Sequence, residues 1–226
     1  MSDHLWQILT DSFLKILIPG IVTTIPLTVI SFFLALVIGI LTALVQFANV
    51  RILKHIARFY IWVVRGTPIL VQLYVVFYGL PNLGIMIAPF PAAILVFAVN
   101  EGAYTAETMR SAFESVPTGQ LEAGYCVGMN YLQCFWRILL PQAFRTAFPP
   151  LSNSLIAMVK ETSLAANITV TEMFMATQRI VARTYEPLAL YIEVALIYLA
   201  FSTVLTHVQR VAEKKINFLA ENGGKK

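Results

Sequence analysis

Charge is the scarcest property of this sequence. Only 12% of its 226 residues are Asp, Glu, Lys or Arg, whereas 58% are hydrophobic and the mean hydropathy is +0.74. A soluble domain carries about 25% charged residues, because its surface must be solvated. A chain with half that complement turns much of its surface to something other than water, which excludes a soluble domain of useful size. The net charge of +4 is spread over the ends of apolar segments. That pattern makes the lipid bilayer the expected partner and gives no reason to expect nucleic acid.

Other absences narrow the chemistry. Cys126 and Cys134 are the sole cysteines, and both fall in a region read below as cytosolic, where thiols stay reduced. With no histidine beside them they lack the spacing of a metal site, so no metal is expected. His4, His55 and His207 sit near the ends of apolar segments, with no Ser-His pair and no His/Asp/Glu cluster to suggest a membrane enzyme. No GxxxxGK[ST] sequence occurs, so the chain is not expected to hydrolyse ATP. The first 18 residues hold Asp3, Asp11 and Lys15, without the basic start and short apolar core of a cleaved leader.

What is present is a series of long apolar runs. A membrane span needs about 20 such residues to cross about 30 Å of hydrocarbon. No charge occurs between Lys15 and Arg51, which places a first span near residues 21–47. The uncharged stretch from Gly66 to Asn100 is punctuated by Gly79, Pro81, Gly84, Pro89 and Pro91, residues that end helices and favour turns. It therefore divides into spans near residues 59–80 and 92–110, followed by spans near 143–159 and 187–209.

Lys and Arg placement orients them. Arg51, Lys54 and Arg58 mark the first loop as cytoplasmic, and the uncharged loop 81–91 falls outside. Arg110, Arg137 and Arg145 return the next loop to the cytoplasm, as Arg210, Lys214, Lys215, Lys225 and Lys226 do for the tail. The expected fold is thus all-α and membrane-integral, with five spans, the N-terminus outside and the C-terminus inside. Residues 1–18 form an extracytoplasmic or interfacial segment and 19–210 the transmembrane domain. Within that domain lies a cytoplasmic loop near 111–142, and 211–226 form a tail. Trp6, Trp62 and Trp136 suit interface positions, and Met158, Met173 and Met175 are read as packing residues.

The cytoplasmic loop carries the most informative pattern: Glu122-Ala123-Gly124, three residues, Gly128, nine residues, then Ile138-Leu139-Leu140-Pro141. Glu122 to Val127 can form a short helix whose acidic start suits the helix dipole. Gly128 permits a sharp turn. A second apolar segment from Tyr131 is expected to stop at Pro141, which cannot continue a helix. Gly124 is expected to loosen the first helix by about 1 kcal/mol relative to alanine. A helix–turn–helix projecting from a membrane domain needs a partner to cover it.

This spacing resembles the EAA motif of ABC importer permeases, E-A-A-x3-G-x9-I-x-L-P, with Gly124 in place of the second alanine. Arg65-Gly66-Thr67-Pro68 and Ala103-Tyr104-Thr105-Ala106-Glu107-Thr108-Met109-Arg110 are similar to segments of the polar-amino-acid permeases, as are Leu140-Pro141-Gln142-Ala143 and Lys160-Glu161-Thr162-Ser163-Leu164. Glu161 stands where that family usually has aspartate. Thr177-Gln178-Arg179 to Tyr185 resembles the cystine-uptake members.

The resemblance implies a type I ABC importer permease in a bacterial cytoplasmic membrane. Two ATPase subunits would bind ATP and Mg, a second permease copy (a homodimer rather than a heterodimer) would complete the pathway, and an extracytoplasmic amino-acid-binding protein would deliver substrate. It implies that Glu122, Ala123, Gly124, Gly128, Ile138, Leu140 and Pro141 couple the chain to the ATPase. A zwitterionic substrate needs opposite charges near mid-membrane. Arg65, Gln72, Asn100, Glu101, Tyr104, Glu107, Lys160, Glu161, Thr162 and Ser163 are the candidates. The alternative for Arg65, Glu107 and Lys160 is that they bind one another or backbone groups to hold broken helices together. The alternatives for the whole chain are a permease for a non-amino-acid solute and, from another class, a self-contained channel.

Overall fold

The computed structural model describes residues 2–47 and 51–223, with side chains for 4–47 and 51–216. Lys225 and Lys226, used above for orientation, lie outside the described residues. Among the described residues ten α-helices follow one another: α1 (Ser2–Pro19), α2 (Ile25–Phe47), α3 (Arg51–Arg65), α4 (Ile69–Tyr74), α5 (Pro89–Glu114), α6 (Thr118–Cys126), α7 (Tyr131–Cys134), α8 (Leu140–Glu161), α9 (Met173–Thr184) and α10 (Pro187–Gly223).

Among the described residues two helical stretches, His4–Phe47 and Pro187–Ile216, are long and apolar enough to cross a membrane. The first is continuous through the expected N-terminal segment. Its 44 residues would reach about 66 Å, well beyond the hydrocarbon thickness. A third candidate is the pair Arg51–Arg65 and Ile69–Leu83, bent by 100°. The run expected as one span over 59–80 is therefore broken. Pro68 (ψ 136°) is extended, and a proline disfavours helical backbone in the residue before it.

Prolines elsewhere are absorbed rather than obeyed, which corrects the expectation at Pro141. Three π turns, Gly20–Thr24, Val75–Gly79 and Phe135–Leu139, each end two residues before a proline: Pro26, Pro81 and Pro141. In each, the residue just before the proline donates its N–H five residues back: Ile25 to Gly20, Leu80 to Val75 and Leu140 to Phe135. Widening the turn accommodates a ring that would otherwise clash with the carbonyl four residues back. The helical run begun at α7 thus passes through Pro141 into α8, with Pro149 and Pro150 also inside α8.

The centre of the fold is the packing of α5 against α2. Small residues allow a close crossing, as in membrane helices generally. A Cβ on Gly39 would lie 2.4 Å from Thr105, and one on Gly102 would lie 2.9 Å from Ile38. Around this crossing α3 and α8 flank α5, while α1, α9 and α10 share a second core of Ile16, Met173, Val194 and Ile197.

Candidate functional site

The bend at Gly66-Thr67-Pro68 opens a cleft against α5 and α8. It is about 590 Å³, lined by Arg65, Thr67, Asn100, Glu101, Tyr104, Ser154 and Glu161 among others. Asn100 and Glu101 are neighbours on α5 and Tyr104 lies one turn further on, so this side of the helix presents an amide, a carboxylate and a phenol to the cleft. Glu101 Oε1 is enclosed yet makes no close hydrogen bond within the described residues, although the Ser154 and Thr105 hydroxyls lie near the carboxylate. The Arg65 guanidinium lies 5.1 Å above the Tyr104 ring, within cation–π range. One guanidinium and two carboxylates thus face a polar cavity, a charge pattern matched to a ligand bearing both signs.

Gln72 lines a neighbouring apolar cavity instead and spends its amide on the chain. Its Nε2 donates to Val64 O (2.9 Å), Thr67 O (3.1 Å) and Thr67 Oγ1 (2.8 Å), while its Oε1 accepts from Asn100 Nδ2 (3.1 Å). This residue closes the backbone gap that the bend creates and fixes the Asn100 side chain. Glu107 sits below the cleft, held by Arg110 at 3.0 Å and Arg65 at 3.8 Å. Arg110 also binds Glu114 at 2.6 Å.

Thr162 and Ser163 turn back on helical carbonyls, donating to Val159 O and Lys160 O at 2.7 Å each. Neither they nor the exposed Lys160 line the cleft. Ser154, four residues before Met158 on α8, does line it; the sequence offers no signal that singles it out, because Ser152 and Asn153 beside it are equally polar.

A second buried carboxylate was also missed. Glu172 is fully buried and caps α9, accepting from Phe174 N (2.8 Å), Met175 N (2.7 Å) and Tyr198 Oη (2.8 Å). Its signal was a lone acid just ahead of an apolar helical run, the N-cap position. On α10, Glu193 accepts from Ser12 Oγ of α1 at 2.6 Å. Among the described residues no group of three or more His, Cys, Asp or Glu could hold a metal ion.

At the other end of α5 lies the cassette. α6 begins at Thr118, a turn earlier than expected, and Gly128 turns the chain at φ +84°. Asn130 and Gln133 then form a reciprocal capping box that starts α7. Gly124 has a packing role beside its propensity cost: a Cβ there would lie 2.8 Å from both Cys134 Sγ and Ile138 Cδ1. The missing side chain lets the two arms of the cassette close on each other. Cys134 is buried in that contact and Cys126 is exposed, both as free thiols. Tyr125, Val127, Tyr131, Leu132 and Trp136 stand exposed around the turn beside Glu122 and Ala123. Such an apolar and aromatic tip on a polar rim is the composition of an interface core.

Comparison with known proteins bears on this geometry. The family described as binding-protein-dependent transport system inner membrane component matches residues 35–218. The L-cystine transport system permease protein TcyB of Bacillus subtilis is 43% identical, over 94% of this chain and 91% of that protein. The glutamine transport system permease protein GlnP of Escherichia coli is 35% identical, over 91% and 95%. A crystal structure described as an amino acid ABC transporter with histidines superposes with a TM-score of 0.85 at 30% identity, covering 91% of this chain and 96% of that one.

Proposed function

Because the chain belongs to the family of binding-protein-dependent transport system inner membrane components, we propose that it is the permease subunit of an ABC importer carrying a polar amino acid, cystine first among the candidates, into a bacterial cytoplasm. The substrate class is supported by relatives named for cystine and glutamine transport. It is supported too by the opposed charges of Arg65, Glu101 and Glu161 around one cleft. In this reading Glu101 and Glu161 receive the ammonium group and Arg65 the carboxylate. Asn100, Tyr104 and Ser154 complete the polar wall, and Gln72, Glu107, Thr162 and Ser163 hold the backbone that shapes it.

The observation that carries the reading is the cassette: a capped, two-armed projection with an exposed apolar tip, ending a helix that lines the charged cleft. The family implies ATPase and substrate-binding-protein partners. A separate ATPase would hold ATP and Mg and dock on Glu122, Ala123 and the turn at Gly128. Its closure would tilt α5 and α8, exposing the cleft alternately to the two sides. Five spans, the N-terminus outside, the C-terminus inside, a homodimer and a location in the inner membrane complete the proposal.

The test is co-purification and uptake. Wild-type chain is expected to retain an ATPase subunit and, with a binding protein, to take up labelled cystine; Glu122→Ala and Gly128→Val should lose both. Retention of no ATPase by the wild type would overturn the permease reading. Binding-protein-dependent uptake of some other solute, with every amino acid refused, would overturn the substrate class alone.

A further inference from the structure

The cassette-side end of α3 carries a cavity that the transport reading leaves unused. It measures about 550 Å³ and is lined by Gln46 and Phe47 of α2, Lys54 and Arg58 of α3, and Glu107, Arg110 and Glu114 of α5. Arg110 is saturated by Glu107 and Glu114. Arg58, by contrast, forms no ion pair among the described residues. Gln46 is only 8% exposed, and its Nε2 makes no close hydrogen bond there; the Glu107 carboxylate beside it is already held by Arg110 and Arg65. A buried amide donor without a close bond, facing a cavity beside a guanidinium outside any ion pair, favours an acceptor better placed than the carboxylates that Arg110 already holds.

The outer surface of α3 indicates where that acceptor comes from. Ile52, Ile56, Phe59 and Trp62 are all exposed, along one side of the same helix that offers Arg51, Lys54 and Arg58 on its polar side. Bands of basic and apolar residues on one short helix suit the boundary between headgroups and acyl chains. Arginine supplies a forked pair of donors matched to phosphate oxygens.

We infer that the cavity between α2, α3 and α5 binds the phosphate headgroup of an anionic phospholipid whose acyl chains lie along Ile52, Ile56 and Phe59. Arg58 and the Gln46 amide donate to the phosphate, with Lys54 adding charge at the rim. The lipid holds the elbow formed by α3 against the membrane surface, just before the bend that shapes the transport cleft. Only the choice of leaflet rests on the orientation proposed above; binding itself does not.

Trp62 on α3 is a built-in probe, 72% exposed. The full chain with Trp6→Phe and Trp136→Phe leaves Trp62 as its single tryptophan, and is reconstituted in phosphatidylcholine bilayers. Quenching is then compared for brominated phosphatidylglycerol and brominated phosphatidylcholine of the same chain length. Phosphatidylglycerol is expected to quench at a lower mole fraction. Arg58→Gln should weaken that preference about five-fold, the worth of one basic residue at a charged membrane surface, and Gln46→Leu should weaken it while keeping every charge. Arg145→Gln, an exposed cation remote from the cavity, should leave it intact. Equal quenching by the two lipids, or a preference unchanged in both Arg58→Gln and Gln46→Leu, would overturn the proposal. Abolition of the preference by excess inorganic phosphate would also do so, because the cavity would then be a free-phosphate site.

Discussion

Two regions of the membrane domain bury carboxylates in opposite ways. At the corner of α1, α9 and α10, Glu172 receives two backbone N–H groups and a tyrosine hydroxyl. In the cleft between α5 and α8, Glu101 Oε1 is just as enclosed but makes no close hydrogen bond, with only the Ser154 and Thr105 hydroxyls near the carboxylate. A buried acceptor left unmade costs about 1–3 kcal/mol, so a chain keeps one only where something else fills it. The first carboxylate is therefore spent on the fold, and the second is the one that the proposed transport reading assigns to a ligand. Burial alone does not separate these roles; the partner count does.

The largest expected effect tests the first half of that contrast. Glu172→Leu strands Phe174 N, Met175 N and Tyr198 Oη and removes the cap of α9. It should lower stability by about 3 kcal/mol, read as a drop in the thermal midpoint of the detergent-solubilised chain. An unchanged midpoint would mean that the corner is held by apolar packing alone.

The second half is tested by Glu101→Gln. Stability should hold or rise, since a buried charge with an unfilled oxygen is removed. Binding-protein-dependent uptake should fall by about tenfold or more, equivalent to about 1.4 kcal/mol of lost substrate interaction. A variant that unfolds but transports normally when folded would reverse the two roles. Smaller still is Glu107→Gln, which breaks the ion pairs to Arg65 and Arg110 at a partly exposed site. About 0.5–1 kcal/mol is expected. The loss should shrink in high salt, which screens such pairs; a salt-independent loss would point instead to a packing role.

How much of this was legible in the sequence depended on the kind of signal. Apolar runs gave an all-helical membrane protein, and the spacing from Glu122 to Pro141 located the cassette and its turn at Gly128. The prolines misled because one residue type has two outcomes. Pro68 breaks the chain by 100°, whereas Pro26, Pro81 and Pro141 are carried by π turns whose hydrogen bonds reach one residue further. Local propensity cannot distinguish them, because the choice is settled by what packs around the widened turn. The same limit explains the cleft. Arg65, Asn100, Glu101, Tyr104 and Glu161 were nominated and are brought together, but Gln72 and Glu107 carry equally polar side chains and are committed within the chain. Whether a polar group is spent or available is a property of its neighbours.

Gly124 shows this at the smallest scale. Read alone, a glycine in a helix costs about 1 kcal/mol against alanine, and Gly124→Ala should stabilise α6 by that amount. In the fold, the added Cβ would meet Cys134 Sγ and Ile138 Cδ1 at 2.8 Å, and overpacking costs about 1–3 kcal/mol. The two terms offset in part, so the single variant should leave the thermal midpoint unchanged at best and lower it by the equivalent of up to about 2 kcal/mol. Cys134→Ala removes the sulfur and leaves a void, destabilising on its own. Together the two substitutions fill the void with the new methyl and keep the propensity gain. Their combined effect should therefore be less destabilising than the sum of the separate effects by about 1 kcal/mol, the signature of residues in direct contact. Strict additivity would mean that the arms of the cassette do not close on each other at Gly124.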